Sequence, residues 1–459
     1  MTVSPFDTVA AVSTPYGKGG VAVIRLSGED ALAVAERVFF PMSEKPLGQH
    51  QNRTAVYGLV RDPEDGRVLD DALCTVFRGP HSFTGENTVE IACHGGVLVT
   101  RNVLEACLRA GARQALPGEF TRRAYLNGKL ALERAEALGN LLDAGNDEQV
   151  RLARAGMNGL LTDSAEAVYH RLMDVLSNME AGMDFPEEDL TEMPREELLE
   201  TVQAASAAVE GLLHTYRTGR AIAEGIPTVI CGRPNVGKSA FYNRLVGREA
   251  AIVTAIAGTT RDVLTDTVSL GRVTLRLSDT AGLRESDDPV EAIGVERARA
   301  AMDEAELVLV LTDEACTDPE AEGWIHSLSE QGKSVIRIYT KRDLRPEIPA
   351  PGDGIPTVSL SSVTGEGFDA LTKAVENAFI DGDLRMGEEA VVFSARQAAA
   401  LRETAACLHA AAAGLETGLP YDICADDVRA AMGELGGLCG RDMGEEILDE
   451  IFSRFCVGK

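Results

Sequence analysis

The chain lacks an excess of positive charge. Its 459 residues carry 44 Lys and Arg against 72 Asp and Glu, a formal net charge of −28. This argues against strong non-specific nucleic-acid binding by the chain alone, because neutralising phosphates takes clustered Lys and Arg. The deficit is uneven. Residues 1–128 hold 13 basic and 14 acidic residues, so nearly all the acidic excess lies beyond them. Part of it is the stretch from Glu187-Glu188-Asp189 to Glu196-Glu197. No long apolar run is present, so neither a signal peptide nor a membrane span is expected. The nine cysteines never form C-x-x-C or a metal-ligand spacing, so no zinc site is expected. The expectation is a cytoplasmic, reduced protein in which Cys456 stays a free thiol. Internal repeats and low-complexity tracts are also missing.

What is present is a phosphate loop. Gly232-Arg233-Pro234-Asn235-Val236-Gly237-Lys238-Ser239 matches G-x-x-x-x-G-K-[ST]. An apolar run, Pro227-Thr228-Val229-Ile230-Cys231, leads in as a buried strand. A helical pattern with Phe241, Leu245 and Val246 on one side leads out. Backbone N–H groups of Asn235, Val236, Gly237 and Lys238, continued by Ser239 and Ala240, can cradle phosphate oxygens at the positive helix end. Lys238 would reach the β- and γ-phosphates, and the Ser239 hydroxyl would hold Mg²⁺.

Three further motifs follow in order. Thr254-Ala255-Ile256-Ala257-Gly258-Thr259-Thr260 can form a first switch, with Thr260 placing its hydroxyl on Mg²⁺ and its N–H on the γ-phosphate. Strand Leu275-Arg276-Leu277-Ser278 runs into Asp279-Thr280-Ala281-Gly282. Asp279 would hold Mg²⁺ through water and Gly282 would approach the γ-phosphate. Strand Ser334–Tyr339 ends in Thr340-Lys341-Arg342-Asp343, close to the guanine-reading Asn-Lys-x-Asp. An Asp343 carboxylate accepts from the guanine N1–H and 2-amino groups together, a donor pair that adenine lacks. Thr340 replaces Asn, and Ser361-Ser362-Val363 replaces the usual Ser-Ala-Lys. The set reads as a GTPase domain.

Leu283 follows Gly282, where Ras-like GTPases carry a water-orienting glutamine. Another group must then neutralise transition-state charge. The Asn235 side-chain carbonyl and backbone carbonyls of residues 254–259 could hold a K⁺ ion in the role of an arginine finger. Beyond Leu283, Glu285, Asp287, Asp288 and Glu291 offer a water-orienting carboxylate or a solvated acidic loop.

Blocks outside the GTPase motifs carry a family resemblance over nearly the whole chain. They are Asp7-Thr8-Val9-Ala10-Ala11 with Thr14-Pro15 and Gly19–Gly28; Ser82-Phe83-Thr84-Gly85-Glu86 with Val89-Glu90-Ile91 and His94-Gly95-Gly96; Pro117-Gly118-Glu119-Phe120-Thr121-Arg122-Arg123 through Lys129; and the terminal Phe455-Cys456-Val457-Gly458-Lys459. With them the chain resembles the MnmE (TrmE) family of tRNA-modification GTPases. The resemblance implies work with the flavoprotein MnmG (GidA), in a heterotetramer or larger complex, on C5 of the wobble uridine of certain tRNAs. It implies an N-terminal domain like that of the glycine-cleavage T-protein, which binds 5-formyltetrahydrofolate or a related folate and forms a homodimer. Arg25, Glu90, Lys129 and Lys459 are the implied folate contacts, and Cys456 an implied catalytic cysteine. The hydrolytic glutamate maps onto Glu291. The K⁺ site maps onto Asn235, Thr254, Ile256 and Thr259, and there K⁺ lets two GTPase domains associate and hydrolyse GTP.

By themselves these residues say less. Arg25 could be a plain surface charge. Glu90 faces away from its apolar strand neighbours, Lys129 follows a turn at Asn127-Gly128, and a terminal Cys-Val-Gly-Lys is by default frayed. His94 reads as structural.

The expected fold is multidomain α/β plus α. Residues 1–120 form an α+β folate-binding and dimerisation domain. Residues 121–221 begin a helical domain, 222–380 form an inserted Ras-like, doubly wound P-loop GTPase domain, and 381–459 complete the helical part. Hinges are expected near Glu224-Gly225 and Asp381-Gly382-Asp383. Two other readings are an Era-like ribosome-assembly GTPase switch and a folate-dependent aminomethyltransferase with a regulatory GTPase domain.

Overall fold

A computed structural model describes residues 7–184, 193–233, 235–248, 265–278, 302–313, 319–344, 352–382, 384–385, 387–440, 445–453 and 455–458. Its contacts group into two compact units, Met1–Gly139 with Cys439–Lys459, and Asn140–Leu438. The expected second helical part is therefore shared, through Leu438 with one unit and from Cys439 with the other.

The first unit holds seven strands: β1 (Val9–Val12), β2 (Val21–Ser27), β3 (Phe39–Pro41), β4 (Ala55–Arg61), β5 (Val68–Phe77), β6 (Thr88–His94) and β7 (Arg113–Gln114). They line up β3-β4-β5-β6-β2-β1-β7, antiparallel except for the parallel pair β1–β7. Alternation decides the faces. Ala22, Ile24 and Leu26 of β2 point into a core with Val34 and Val38 of helix Ala31–Val38 and Val103 and Ala106 of helix Val97–Arg109. Val21, Tyr57 and Leu73 stay 61%, 52% and 48% exposed. Val21 lies in the opposite phase of β2 from that buried set.

The C-terminal tail is packed against this unit. Leu448 and Phe452 of helix Glu445–Ser453, with Phe455, join Leu132 and Ala135 in one cluster. Val457 bridges to Pro117, and Ser13 Oγ donates to the Gly458 carbonyl at 3.0 Å. Gly458 sits at φ +104°, and a side chain there would collide with the Val12 carbonyl.

The second unit begins and ends in helices. Leu160–Asp184, Arg195–His214, Ala395–Thr417 and Tyr421–Leu438 pack around one another as a four-helix bundle, two members from each side of the inserted sheet. The insertion has strands β8 (Ile226–Gly232), β9 (Thr265–Leu270), β10 (Val273–Ser278), β11 (Leu307–Thr312), β12 (Ser334–Tyr339) and β13 (Thr357–Ser359). Their order is β13-β12-β11-β8-β10-β9, parallel except for β9. Central β11 is apolar at nearly every position because helices cover both faces of a parallel sheet. Its Leu307, Leu309 and Leu311 enter one core layer, and Val308 and Val310 the other.

The entry and exit of this insertion are stitched together. Buried Thr218, on helix Tyr216–Ala223, donates to the Phe379 carbonyl at 3.2 Å and accepts from the Asp381 N–H at 3.0 Å. Thr215 Oγ1 accepts from the Val392 N–H at 3.0 Å. Gly219 has no room for a side chain against the Val392 carbonyl. Of the expected hinges, Gly225 has φ +78°, and Asp383 lies outside the described residues.

One residue breaks the apolar pattern of β12. Arg337 is fully buried, with Nη2 at 2.7 Å from Glu322 and 2.6 Å from Asp353. Its hydrogen bond holds the Asp353 carboxyl below the ordinary carboxylate range, so that contribution is lost as pH falls through the lowered value. Replacing Arg337 by Met leaves two carboxylates facing each other without their cation. We expect Arg337→Met to destabilise the inserted domain by about 3 kcal/mol, read as an earlier urea transition, with a weaker acid dependence than wild type.

Candidate functional site

Strand β8 carries the chain up to Gly232, where the backbone turns at once. Asn235 at φ 64° and Gly237 at φ 103° take left-handed conformations, which curl the loop before helix Lys238–Arg248 begins. Val236 is buried and anchors the loop from below. Phe241, one turn into the helix, stacks on Phe368 at 5.7 Å between ring centroids. Lys238 Nζ donates to the carbonyls of Gly232 and Arg233, both at 2.8 Å. The ammonium thus lies along the concave side of the loop, and burial pulls its pKa below the ordinary lysine value. Asn235, Ser239 and Ala240 are exposed.

The expected base-reading loop lies beside the phosphate loop. Thr340, at the end of β12, is 3% exposed. Its hydroxyl donates to the Val236 carbonyl at 2.7 Å, and its N–H to the Thr312 carbonyl at 2.9 Å. The hydroxyl therefore faces the phosphate loop and not the open side. Lys341, at φ 60°, reaches Asp313 at 2.7 Å and the Asn235 carbonyl at 3.3 Å. Asp343 is exposed beyond them. Ser361 is fully buried and holds its own turn: its Oγ accepts from the Thr364 N–H at 3.2 Å, and its N–H donates to the Glu366 carbonyl at 2.9 Å. Ser362 is half-buried next to it. All these loops leave the carboxyl ends of parallel strands, where open α/β sheets bind ligands. Asp313 had no motif to announce it; the only signal is its place directly after the apolar run of β11. Thr254, Ala255, Ile256, Ala257, Gly258, Thr259, Thr260, Asp279, Thr280, Ala281, Gly282, Glu291 and Lys459 lie outside the described residues.

The first unit gathers a separate cluster. Arg25 on β2 stands opposite Glu90 on β6 in direct register. Arg25 Nε and Nη2 both meet Glu90 Oε1, at 2.9 and 2.8 Å. The guanidinium also lies over the rings of Phe120 and Phe83, at 5.6 and 5.9 Å, an arrangement beyond that of a plain surface charge. Loop Ser82–Glu86 links this pair to Lys129: Phe83 touches Arg25, and Gly85 leaves space that the Lys129 chain borders. The Asn127 amide ties the same loop by donating to the Thr84 carbonyl at 2.8 Å. Cys456 is exposed, and its carbonyl accepts from the Gly118 N–H at 3.4 Å, two residues before Phe120. His94 pairs with Asp70 at 2.9 Å.

Sequence reasoning missed the frame beneath this cluster. Buried Arg123 bridges Glu86 at 3.1 Å and Glu119 at 2.9 Å. Ser27 Oγ donates to Glu86 at 2.7 Å, and Arg113 holds Glu119 at 2.7 Å. The available signal was a helix start, Glu119 to Arg123, with opposite charges four residues apart.

Residues 8–129 match the family description GTP-binding protein TrmE N-terminus, and residues 132–456 match MnmE helical domain. The chain belongs to the MnmE (TrmE) family. A tRNA modification GTPase MnmE of Symbiobacterium thermophilum is 48% identical over 459 residues, covering 99% of each chain. Relatives of the same name from Listeria welshimeri and Geobacillus thermodenitrificans are 40% and 38% identical, over 99–100% of this chain and 100% of theirs. Among the described residues no helix is long and apolar enough to cross a membrane.

Thr340→Val keeps the volume but removes the donor, leaving the Val236 carbonyl without that bond. We expect a loss of about 1–2 kcal/mol, or roughly tenfold in GDP affinity, measured with a fluorescent GDP. Thr340→Ser should keep wild-type affinity.

Proposed function

We propose that this chain is a GTP hydrolase that acts in tRNA modification, with nucleotide bound across the loops that end β8, β12 and β13. The observation that carries the reading is the Thr340 hydrogen bond to the Val236 carbonyl. It fastens a loop that can read guanine to a loop that can hold phosphate, so both ends of one nucleotide meet a single rigid body. Asp343, exposed beyond the bond, is free to accept the paired guanine donors. Lys238 exchanges its loop carbonyls for the β- and γ-phosphate oxygens. Ser239, with Thr260, would hold Mg²⁺, which supplies positive charge against the phosphates.

In the same reading, Asn235 with Thr254, Ile256 and Thr259 would hold K⁺, which offsets transition-state charge where an arginine finger acts elsewhere. Asn235 is exposed at a left-handed turn in the phosphate loop, which suits a side chain facing a second GTPase domain. Glu291 orients the attacking water. The first unit takes 5-formyltetrahydrofolate or a related folate, with Arg25, Glu90, Lys129 and Lys459 as contacts and Cys456 beside them. Support comes from Arg25, held between a carboxylate and two aromatic rings. The sheet face with exposed Val21, Tyr57 and Leu73 supports a homodimer through this unit. With so acidic a chain, the basic surface for tRNA falls largely to the partner MnmG, in the cytoplasm.

Hydrolysis is tested in KCl against NaCl, with Glu291→Ala beside wild type. We expect K⁺ to raise the rate roughly tenfold or more and the variant to lose about a hundredfold. A rate indifferent to both would sink this mechanism. For the folate site, Arg25→Met should weaken 5-formyltetrahydrofolate binding about tenfold, measured by equilibrium dialysis. Unchanged affinity would place the folate elsewhere.

A further inference from the structure

The two segments expected to sense the γ-phosphate are joined by one hairpin. Strand β9 begins shortly after Thr260, and β10 ends at Ser278, next to Asp279. The six residues of β10 span about 20 Å, so the hairpin is a short rod whose one end adjoins both of these segments in sequence. Its other end, the turn Gly271-Arg272, reaches a helix of the frame.

The contact is built from several independent parts. Helix Asp147–Asn158 starts at Asn146, whose Oδ1 accepts the Gln149 N–H. Asn146 Nδ2 reaches Thr274 Oγ1 at 3.0 Å. Glu148, one residue into the helix, has a side chain only 6% exposed. Its Oε1 accepts Arg272 Nε at 3.0 Å and Nη2 at 2.6 Å, and its Oε2 meets Arg151 at 3.2 Å. Gln149 Nε2 donates to the Ile222 carbonyl at 3.0 Å, just before the chain enters β8. The turn is also gripped from the exit side. The Arg272 N–H donates to Glu376 Oε1 at 2.8 Å on helix Phe368–Phe379, and Gly271, at φ +61°, leaves no room for a side chain against Glu376.

We propose that Glu148, through Arg272, is the positioning residue by which the helical frame holds the β9–β10 hairpin and registers which nucleotide is bound. A hairpin that slides or tilts must move Arg272 and Thr274 together, because both lie within three residues on one strand end. A buried carboxylate resists such a shift, since losing Arg272 leaves its charge paired only with the largely exposed Arg151. The frame therefore meets the hairpin in discrete arrangements rather than along a continuum. This coupling rests on the GTPase reading above.

The test uses the full-length protein with GDP and with a non-hydrolysable GTP analogue, and reads amide hydrogen exchange in residues 146–158. Wild type is expected to exchange at different rates in the two states. Arg272→Met should shrink that difference about fivefold, while fluorescent-GDP affinity changes by less than about threefold. Glu148→Gln should act likewise, and Arg272→Lys, which keeps one charged donor, should retain most of the difference. A merely structural contact would raise exchange equally in both states. That outcome, or an undiminished difference in Arg272→Met, overturns the proposal. If wild type binds both nucleotides but shows no difference between them, the coupling fails and the GTPase reading stands. If it binds neither, both fail.

Discussion

A chain that interrupts a helix bundle to build another domain must return to where it left. Thr218 meets that constraint with one hydroxyl, which donates to the last residue of the exit helix and accepts from Asp381, two residues beyond it. The bundle depends on this closure. Two of its four helices precede the insertion and two follow it, so neither pair can bury its apolar face unless the crossings lie side by side. Thr215, bound to the Val392 N–H, and the bare backbone of Gly219 bring the returning chain close enough. Hydroxyls suit this position because a buried crossing exposes backbone groups that no helix or strand ladder satisfies.

The loops of the proposed nucleotide site follow the same economy. Each leaves a parallel strand at its carboxyl end, and polar side chains tie the loops to one another. Thr340 reaches Val236, and Lys341 reaches Asp313 and Asn235. A loop held this way is pre-organised, so less ordering has to occur when a ligand binds. Arg337 steadies the outer part of the same sheet by holding two carboxylates from flanking segments. The hairpin β9–β10 differs, because its far end is held partly by a helix outside the sheet domain.

In the first unit, charges pair in a chain running from Arg113 through buried Glu119 and Arg123 to Glu86. The chain fixes loop Ser82–Glu86, and that loop presents Phe83 to Arg25 and Gly85 to Lys129. The terminal residues close on Pro117 and Ser13 of the same unit. Partly exposed polar groups at the surface thus rest on a row of paired charges beneath.

The sequence by itself determined the apolar strands and their place between helical stretches, and it set the expectation of a phosphate loop within an inserted GTPase domain. Those features are local: glycine spacing, strand periodicity and a helix start are written within a few residues of one another. It also marked Arg25 and Glu90 through the family resemblance, and strand alternation placed Glu90 on the face away from its apolar neighbours. Tertiary structure decided what lies between distant segments. Thr340 reads in sequence only as a departure from the usual Asn, and its approach to Val236 turns it into a tie between loops. Glu148 and Arg272 are 124 positions apart, and each alone looks like a solvated surface charge. The tail reads as a frayed end until Gly458 meets Ser13 across 445 positions. Contacts of that kind depend on how whole elements pack, which no local spacing encodes.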